Sequence, residues 1–270
     1  MCTRKALIET RYLNGLGNKK GSAIYKYIGI KNLISMIKNK ELKVYKVSSW
    51  EDPYENFLLK DIDISEKVGT SSLRKKIFGQ SWTLREESDL MWRIYSKMEK
   101  FPSFSKKMYS GVRIKTRARK LFDIFIGKEC CVMERYIGKV KYFDEASFIS
   151  KREELNEDLK GYFDYKVEVP RQLFVKRKDF FYEKEVRIIN IAAAATDEEN
   201  ERIERKKFES YKIRDIDDFI EEICLDPRLD KDGGSEQFDF LKKLLVEVGI
   251  DEKKIKKSEL HTYKPIAKSC

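Results

Sequence analysis

The feature that most limits the fold is the shortness of the apolar segments. The longest apolar tract without a charged residue spans residues 188–195, and Asn190 interrupts it. A helix that crosses a bilayer needs roughly 20 consecutive apolar residues, and no segment of this kind is present. With 41% apolar and 12% aromatic residues, the 270-residue chain can still build a full core. Because residues 1–6 also lack an apolar signal segment, the sequence predicts a soluble cytoplasmic protein with no membrane partner.

Hydrophobic periodicity predicts a mixture of helices and strands in irregular order. Such an order favours an α+β fold, with a mixed, mostly antiparallel sheet and flanking helices, over a doubly wound one. Strands are predicted over residues 23–28, 42–47, 77–84, 111–116, 134–143, 172–175, 185–192, 220–224 and 256–260. Helices are predicted over residues 31–39, 71–76, 86–100, 144–159 and 236–248.

The chain has no internal repeat, proline-rich linker or low-complexity block. Residues 1–22 mix charges with three glycines and are interpreted as an N-terminal arm. Residues 23–270 are predicted to form a single α+β domain.

Charge and reactive side chains narrow the function classes. The formal net charge is +11 and is spread along the chain, which favours attraction to nucleic acid but also fits a lysine-rich solvated surface. The single histidine, His261, lies near the end of the chain, and the five cysteines form no even framework or C-x-x-C pair. Zinc sites and histidine relays are therefore not expected. No metal is expected for the first function hypothesis below.

Several motifs of common enzyme classes do not occur in the sequence. A Walker loop, G-x-G-x-x-G, H-E-x-x-H and G-x-S-x-G are all missing. The sequence therefore does not favour a kinase, a nucleotide-fold dehydrogenase or a serine hydrolase.

Two carboxylates begin the most apolar predicted strand. Glu183 and Glu185 are two residues apart, which places them on one face of a strand together with Arg187. Such a set can orient a ribose hydroxyl or stabilise an oxocarbenium centre. The alternative is an exposed edge strand with alternating charges.

Two other short segments are candidates for the same groove. Ser81 and Thr83 present two hydroxyls on one strand face with Trp82 on the other, although Ser and Thr are also ordinary strand residues. Residues 25–27 place a lysine between two tyrosines, which suits a phosphate and a stacked base. The groove is predicted where these segments meet residues 183–187.

A loop rich in aromatic and acidic residues follows the second predicted strand. It contains Asp52, Tyr54 and Glu55, and functional loops concentrate such groups. Trp92 and Tyr95 lie on the apolar face of the predicted helix 86–100 and are assigned to the core.

An ordered set of segments resembles a bacterial family called domain of unknown function 2971. The segments are IYKYIGIKNLISMIKNKELK, Asp52-Pro53-Tyr54-Glu55, Ser81-Trp82-Thr83, DLMWRIYS over residues 89–96, Gly111-Val112, Val140-Lys141-Tyr142 and FYEKEVR over residues 181–187. The resemblance covers about residues 23–262.

The order of these segments also looks like that of ADP-ribosyltransferases, which use NAD as a substrate. The resemblance implies that Glu185 is catalytic, that Glu183 positions the acceptor, and that residues on the neighbouring strands bind NAD. Those residues are Lys26, Tyr27, Ser81, Trp82, Thr83 and Arg187, with Arg11 as an alternative cation. Asp52, Tyr54 and Glu55 would form the acceptor loop.

These observations lead to one function hypothesis and two alternatives. The first is an NAD-dependent ADP-ribosyltransferase, a bacterial toxin or anti-phage defence effector that modifies nucleic acid or a protein bound to it. A cognate antitoxin or a defence-system subunit is a further partner in this reading. The alternatives are a non-catalytic nucleic-acid-binding module that stacks bases on Tyr25, Tyr27 and Trp82, and a Mg²⁺-dependent nuclease that uses Asp52, Glu55, Glu183 and Glu185.

Overall fold

The computed structural model contains a mixed set of strands and helices. It describes residues 12–13, 16, 21–50, 52, 54–55, 75–126, 133–150, 153, 172–192, 196–231 and 234–262. The strands are β1 (Tyr12–Leu13), β2 (Ala23–Gly29), β3 (Glu41–Lys46), β4 (Ile77–Thr83), β5 (Met98–Lys100), β6 (Lys107–Tyr109), β7 (Gly111–Arg117), β8 (Met133–Lys139), β9 (Lys141–Phe143), β10 (Val175–Arg177), β11 (Glu185–Ala192), β12 (Phe208–Lys212), β13 (Glu222–Leu225) and β14 (Ile255–Lys257).

The helices are short. They are α1 (Ile30–Asn39), α2 (Asp89–Tyr95), α3 (Ala118–Ile126), α4 (Asp197–Arg205), α5 (Ile216–Phe219) and α6 (Glu236–Glu247). Short 3₁₀ segments cover Val47–Ser49, Lys178–Glu183 and Glu252–Lys254. Within the described ranges, no helix is long and apolar enough to cross a membrane.

The chain divides into two compact units, which are discontinuous in sequence. The first comprises Met1–Ile24, Glu41–Leu84 and Arg117–Ile213, and the second comprises Tyr25–Lys40, Arg85–Thr116 and Arg214–Cys270. The expectation of one domain over residues 23–270 with an N-terminal arm stays a prediction.

The first unit is built on a mostly antiparallel sheet. Its strand order is β1-β8-β11-β4-β3-β12, and the short β1–β8 contact is its one parallel pair among the described residues. Strand β11 is central: five of its eight residues are apolar, and all eight are buried. Helix α3 covers one side, where Phe125 packs against Tyr211 with ring centroids 4.2 Å apart.

The other side of this sheet carries an apolar layer that includes the parallel pair β9–β10. The layer packs on Ile189 and Ile191 of β11, and the partly buried Trp50, Tyr136 and Phe143 lie at its margin. Its buried members are Val47, Ile77, Phe148, Leu173, Phe174, Val175, Ile189 and Ile191.

The second unit has its own strands in the order β2-β7-β13-β14. Strands β7 and β13 are antiparallel, and β13 and β14 are parallel. Tyr27, Met91, Trp92 and Cys224 form a buried cluster in this unit. The predicted α+β class, with a mostly antiparallel sheet and flanking helices, is therefore confirmed.

Several of the predicted elements are wrong in length or position. The strand predicted over residues 256–260, for example, is Ile255–Lys257, and the one predicted over residues 220–224 is Glu222–Leu225. The helix predicted over residues 86–100 ends at Tyr95, because Gly111 N donates to Ser96 Oγ at 2.8 Å and residues 98–100 pair with β6. Its buried residues are Met91 and Trp92, whereas Tyr95 is 44% exposed. The core assignment is confirmed for Trp92 and wrong for Tyr95.

The other corrections concern strand bounds. The strand predicted over residues 172–175 begins at Val175 and runs to Arg177, and the one predicted over residues 134–143 is divided at Val140. The predicted helix 71–76 lies largely outside the described residues, and of the predicted helix 144–159 residues 145–150 and 153 are described as helical. Helices α3 and α4 and strand β12 were not predicted.

Candidate active site

The pairing of β4 with β11 brings the predicted hydroxyl and carboxylate segments together. Arg187 lies opposite Ser81, and Glu185 lies opposite Thr83. Directly opposed residues share a face, and Ser81 Oγ donates to Glu185 Oε2 at 2.8 Å. Arg187 Nε donates to the same oxygen at 2.6 Å. Glu185 and Arg187 therefore share a face of β11, as the sequence predicted.

Glu183 reaches the same group by a different route from the predicted one. It ends the 3₁₀ segment Lys178–Glu183, and Lys184 then adopts a left-handed conformation with φ 41° before β11 begins. The prediction that Glu183 and Glu185 lie on one strand is therefore wrong for Glu183. The turn at Lys184 still returns the Glu183 side chain to Glu185, and the two carboxyl groups share a hydrogen bond.

Lys176, on β10, connects the carboxylates and was missed in the sequence. Its ammonium group lies 2.6 Å from Glu185 Oε1, 2.6 Å from Glu183 Oε2 and 2.9 Å from Glu55 Oε1. The predicted strand 172–175 stopped one residue short of it. The sequence held no signal for this lysine, because Lys176 begins the basic run Lys176-Arg177-Lys178, and a run of like charges is typical of a solvated surface.

The acidic loop after β3 adds Glu55 to these charged side chains. Arg187 Nη2 donates to Glu55 Oε1 at 2.5 Å, and the guanidinium lies 4.6 Å from the Trp50 ring centroid. The Trp50 ring can pack directly on the backbone of β4 because Gly79 has no side chain. A Cβ at Gly79 would lie 2.7 Å from Trp50 Cζ2. We call Glu55, Lys176, Glu183, Glu185 and Arg187 the charge cluster.

A second, smaller pair borders the charge cluster. Arg177 Nη2 lies 3.4 Å from Asp52 Oδ1, and its guanidinium is 4.3 Å from the Tyr54 ring centroid. Asp52 Oδ2 and Arg177 Nε are buried, and no hydrogen-bond partner for either is found in the described part of the chain. Buried polar atoms without a partner are uncommon, so this rim is a candidate contact for a polar ligand.

Burial and the opposite charges set the protonation states of the charge cluster. Burial alone would raise the pKa of Glu185, but Arg187, a hydrogen bond from Glu183 and Lys176 hold it well below its usual value. Burial and the adjacent Glu185 carboxylate raise the pKa of Glu183 to about 8. Burial would lower the pKa of Lys176, but Glu185, Glu55 and Glu183 raise it instead.

These pKa shifts leave the charge cluster electrically neutral. With Glu183 protonated, the negative charges of Glu55 and Glu185 match the positive charges of Lys176 and Arg187. A buried set of this kind is stable only when its charges compensate one another. Glu183 is therefore the member that can lose a proton near neutral pH.

The raised pKa of Glu183 predicts a pH-dependent stability. Between its ordinary value of 4.5 and about 8, the folded chain holds a proton that the unfolded chain has released. This contribution is fully present below pH 4.5 and is lost as the pH rises through about 8. Urea unfolding at several pH values should show that Glu183→Gln flattens this part of the stability profile.

Glu201→Gln is the matched control, because Glu201 lies on α4 with its side chain 68% exposed. The control should keep the wild-type slope of unfolding free energy against pH. A Glu183→Gln profile that is parallel to the wild-type profile would contradict the protonation assigned to Glu183.

The remaining predicted site residues occupy different surroundings. Thr83 Oγ1 donates to the Glu183 backbone oxygen at 2.5 Å, and Trp82 Nε1 donates to Gln80 Oε1 at 2.8 Å. Lys26 and Tyr27 lie on β2 in the second unit. Arg11 lies outside the described residues. The expectation that β2 borders the same groove stays a prediction.

Burial contradicts the residues chosen for the nucleic-acid-binding alternative. Tyr25, Tyr27 and Trp82 are 5%, 3% and 2% exposed, so none of these rings can stack on a base. Tyrosine and tryptophan side chains serve both as core residues and as stacking surfaces, and no feature of the sequence separated these two roles here. In the described residues no group of three His, Cys, Asp or Glu side chains is arranged to hold a metal ion. Of the carboxylates of the nuclease alternative, Glu55, Glu183 and Glu185 are engaged by Lys176 and Arg187, and Asp52 is paired with Arg177.

Comparisons with known proteins bear on the family and not on the activity. No curated protein and no solved structure matches the chain. Residues 91–188, which include Glu183 and Glu185, match the model of a family described as a protein of unknown function, DUF2971. The resemblance to the DUF2971 family that the sequence motifs predicted is thereby confirmed over residues 91–188.

Proposed function

We propose that the protein is an NAD-dependent ADP-ribosyltransferase that modifies nucleic acid or a protein bound to it, as a bacterial toxin or anti-phage effector would. The observation that carries the proposal is the meeting of the Ser-x-Thr strand with the Glu-x-Glu segment. Ser81 donates to Glu185, and Glu183 adjoins the same carboxylate.

The two carboxylates suit different parts of the reaction. Transfer breaks the bond between ribose C1′ and the nicotinamide nitrogen, and neutral nicotinamide leaves with the bonding electron pair. The positive charge that develops on the ribose is stabilised by a nearby carboxylate. Glu185, which Arg187 and Lys176 keep ionised, supplies a fixed negative charge in a site with little water.

Glu183 is the group that we assign to the acceptor. A new bond forms between C1′ and the acceptor atom, and the acceptor proton passes to the ionised form of Glu183. A pKa of about 8 suits proton transfer near neutral pH. Both Glu185 oxygens already accept hydrogen bonds, from Ser81, Arg187 and Lys176, so Glu183 has the greater capacity to contact a substrate.

The rim supplies chemistry for the rest of the dinucleotide. Arg177 is a cation beside the exposed ring of Tyr54, which suits a pyrophosphate next to an aromatic base. Asp52 Oδ2, buried at the same place, can accept a hydrogen bond from a ribose hydroxyl.

The test is the release of nicotinamide from NAD by the purified protein, measured by chromatography with and without DNA and RNA. The proposal predicts release that rises when the acceptor nucleic acid is present. Mass spectrometry of the nucleic acid should then show the added ADP-ribose. If NAD stays intact with DNA, with RNA and with neither, the protein is not a transferase for these acceptors.

A further inference from the structure

The outer face of β3 and β12 exposes aromatic and basic side chains. Along both strands alternate residues are buried, and Leu42, Val44 and Tyr211 face the core. We call the opposite, outward-facing set the outer ribbon. It consists of Glu41, Lys43, Tyr45, Phe208, Ser210 and Lys212.

Two rings dominate the outer ribbon. Tyr45 and Phe208 are directly paired across the strands, with ring centroids 5.6 Å apart, and they are 50% and 36% exposed. Lys43 Nζ lies 4.9 Å from the Phe208 centroid. The two rings form a continuous apolar patch on the surface, and a patch of this kind next to a cation is a candidate interaction site.

The outer ribbon lies on the same side of the sheet as the charge cluster. Phe208 pairs with Tyr45, Tyr45 with Gly79, and Gly79 with Ile189. Paired residues share a face, and Tyr45 is two strand spacings, or roughly 10 Å, from the strand that carries Arg187. The apolar layer buries Val47 but leaves Tyr45 half exposed, so this side of the sheet is open at the outer ribbon.

The charges of the outer ribbon favour an anionic partner. Glu41 is compensated by Lys212 at 2.9 Å. The net positive charge next to the rings therefore comes from Lys43. A protein with a net charge of +11 attracts nucleic acid over a longer range as well.

We propose that the outer ribbon binds single-stranded nucleic acid. Bases stack on Tyr45 and Phe208, while Lys43 contacts a backbone phosphate. Single strands are favoured over duplexes because only unpaired bases expose their faces to a ring. The inference deepens the proposed function by placing the acceptor on the side of the sheet that carries the charge cluster, two strands away from β11, but the binding is independent of NAD.

The test is fluorescence anisotropy with a labelled oligothymidylate about 12 nucleotides long and the same sequence as a duplex. Tyr45→Leu and Phe208→Leu keep a strand-compatible apolar side chain and remove the ring. Each is expected to weaken single-strand binding at least about fivefold. Lys43→Gln should lower the slope of log affinity against log salt by about 0.7.

Matched controls separate the outer ribbon from the rest of the surface. Tyr95→Leu removes an exposed ring, and Lys38→Gln removes an exposed cation, both in the second unit. Both should bind as the wild type does, and thermal unfolding should show that the ring variants remain folded. No single-strand binding by the wild type, or wild-type affinity in the folded ring variants, would overturn the inference.

The outcome is also separable from that of the proposed function. Single-strand binding without nicotinamide release supports the outer ribbon and contradicts the transferase. Release of nicotinamide by a protein that does not bind the oligonucleotide supports the transferase and contradicts the outer ribbon.

Discussion

Lys176→Met is expected to lower the free energy of unfolding by about 3–5 kcal/mol, as removal of one partner from a buried ion group does. Lys176 contacts three carboxylates, and its side chain is 8% exposed. Its loss leaves two buried negative charges, on Glu55 and Glu185, against the single positive charge of Arg187. Urea unfolding followed by circular dichroism measures the difference.

A second substitution tests whether charge balance is the cause. Adding Glu55→Gln to Lys176→Met restores neutrality, because Glu185 and Arg187 remain as a pair. The double variant should recover about 1–3 kcal/mol relative to the sum of the single effects.

Arg205→Met is the control for the loss of a cation, since its partner is the exposed Glu201 and such pairs contribute less than about 1 kcal/mol. If Lys176→Met is no more destabilising than this control, the charge balance described for the cluster is wrong.

Glu183→Gln is expected to slow nicotinamide release with acceptor present by about 10²–10⁴-fold, the usual contribution of a general base. The fold should persist, because the glutamine amide can donate to Glu185 as the protonated carboxyl does and can accept from Lys176. The KM for NAD should change little, since the lost group acts on the acceptor proton. Initial rates at several NAD concentrations separate kcat from KM.

The choice of Glu183 over Glu185 for this experiment follows from the contacts. Glu185→Gln would remove the main partner of both Arg187 and Lys176, so lost activity would be difficult to separate from lost stability. Glu201→Gln again serves as the control and should retain the wild-type rate. A comparable loss in Glu201→Gln would remove any specific role for Glu183.

Local sequence patterns predicted much of the fold. The strand Glu185–Ala192 was predicted with both of its bounds, because a continuous apolar run between charged residues is typical of a central strand. The meeting of Ser81 with Glu185 was also expected, since hydroxyls and paired acids beside apolar residues need partners. The irregular order of elements was sufficient to predict the α+β class.

Long-range contacts explain what the sequence patterns did not predict. The helix predicted to reach residue 100 ends early because Ser96 is held by Gly111, a contact that periodicity cannot indicate. Lys176 was missed because its partners are assembled by the fold: Glu183 and Glu185 are returned to it by the 3₁₀ segment, and Glu55 comes from the loop after β3. The burial of Tyr25 and Tyr27 depends on packing, since the same residue types serve as core and as stacking surfaces.

The most direct test of the central claim is the pH dependence of nicotinamide release in the presence of acceptor, compared between the wild type and Glu183→Gln. The ionised form of Glu183 accepts the acceptor proton, so the wild-type rate should rise with pH and level off above about 8. The Glu183→Gln rate should stay low and lack this rise. Equal profiles for the two proteins, or no release by the wild type at any pH, would contradict the account.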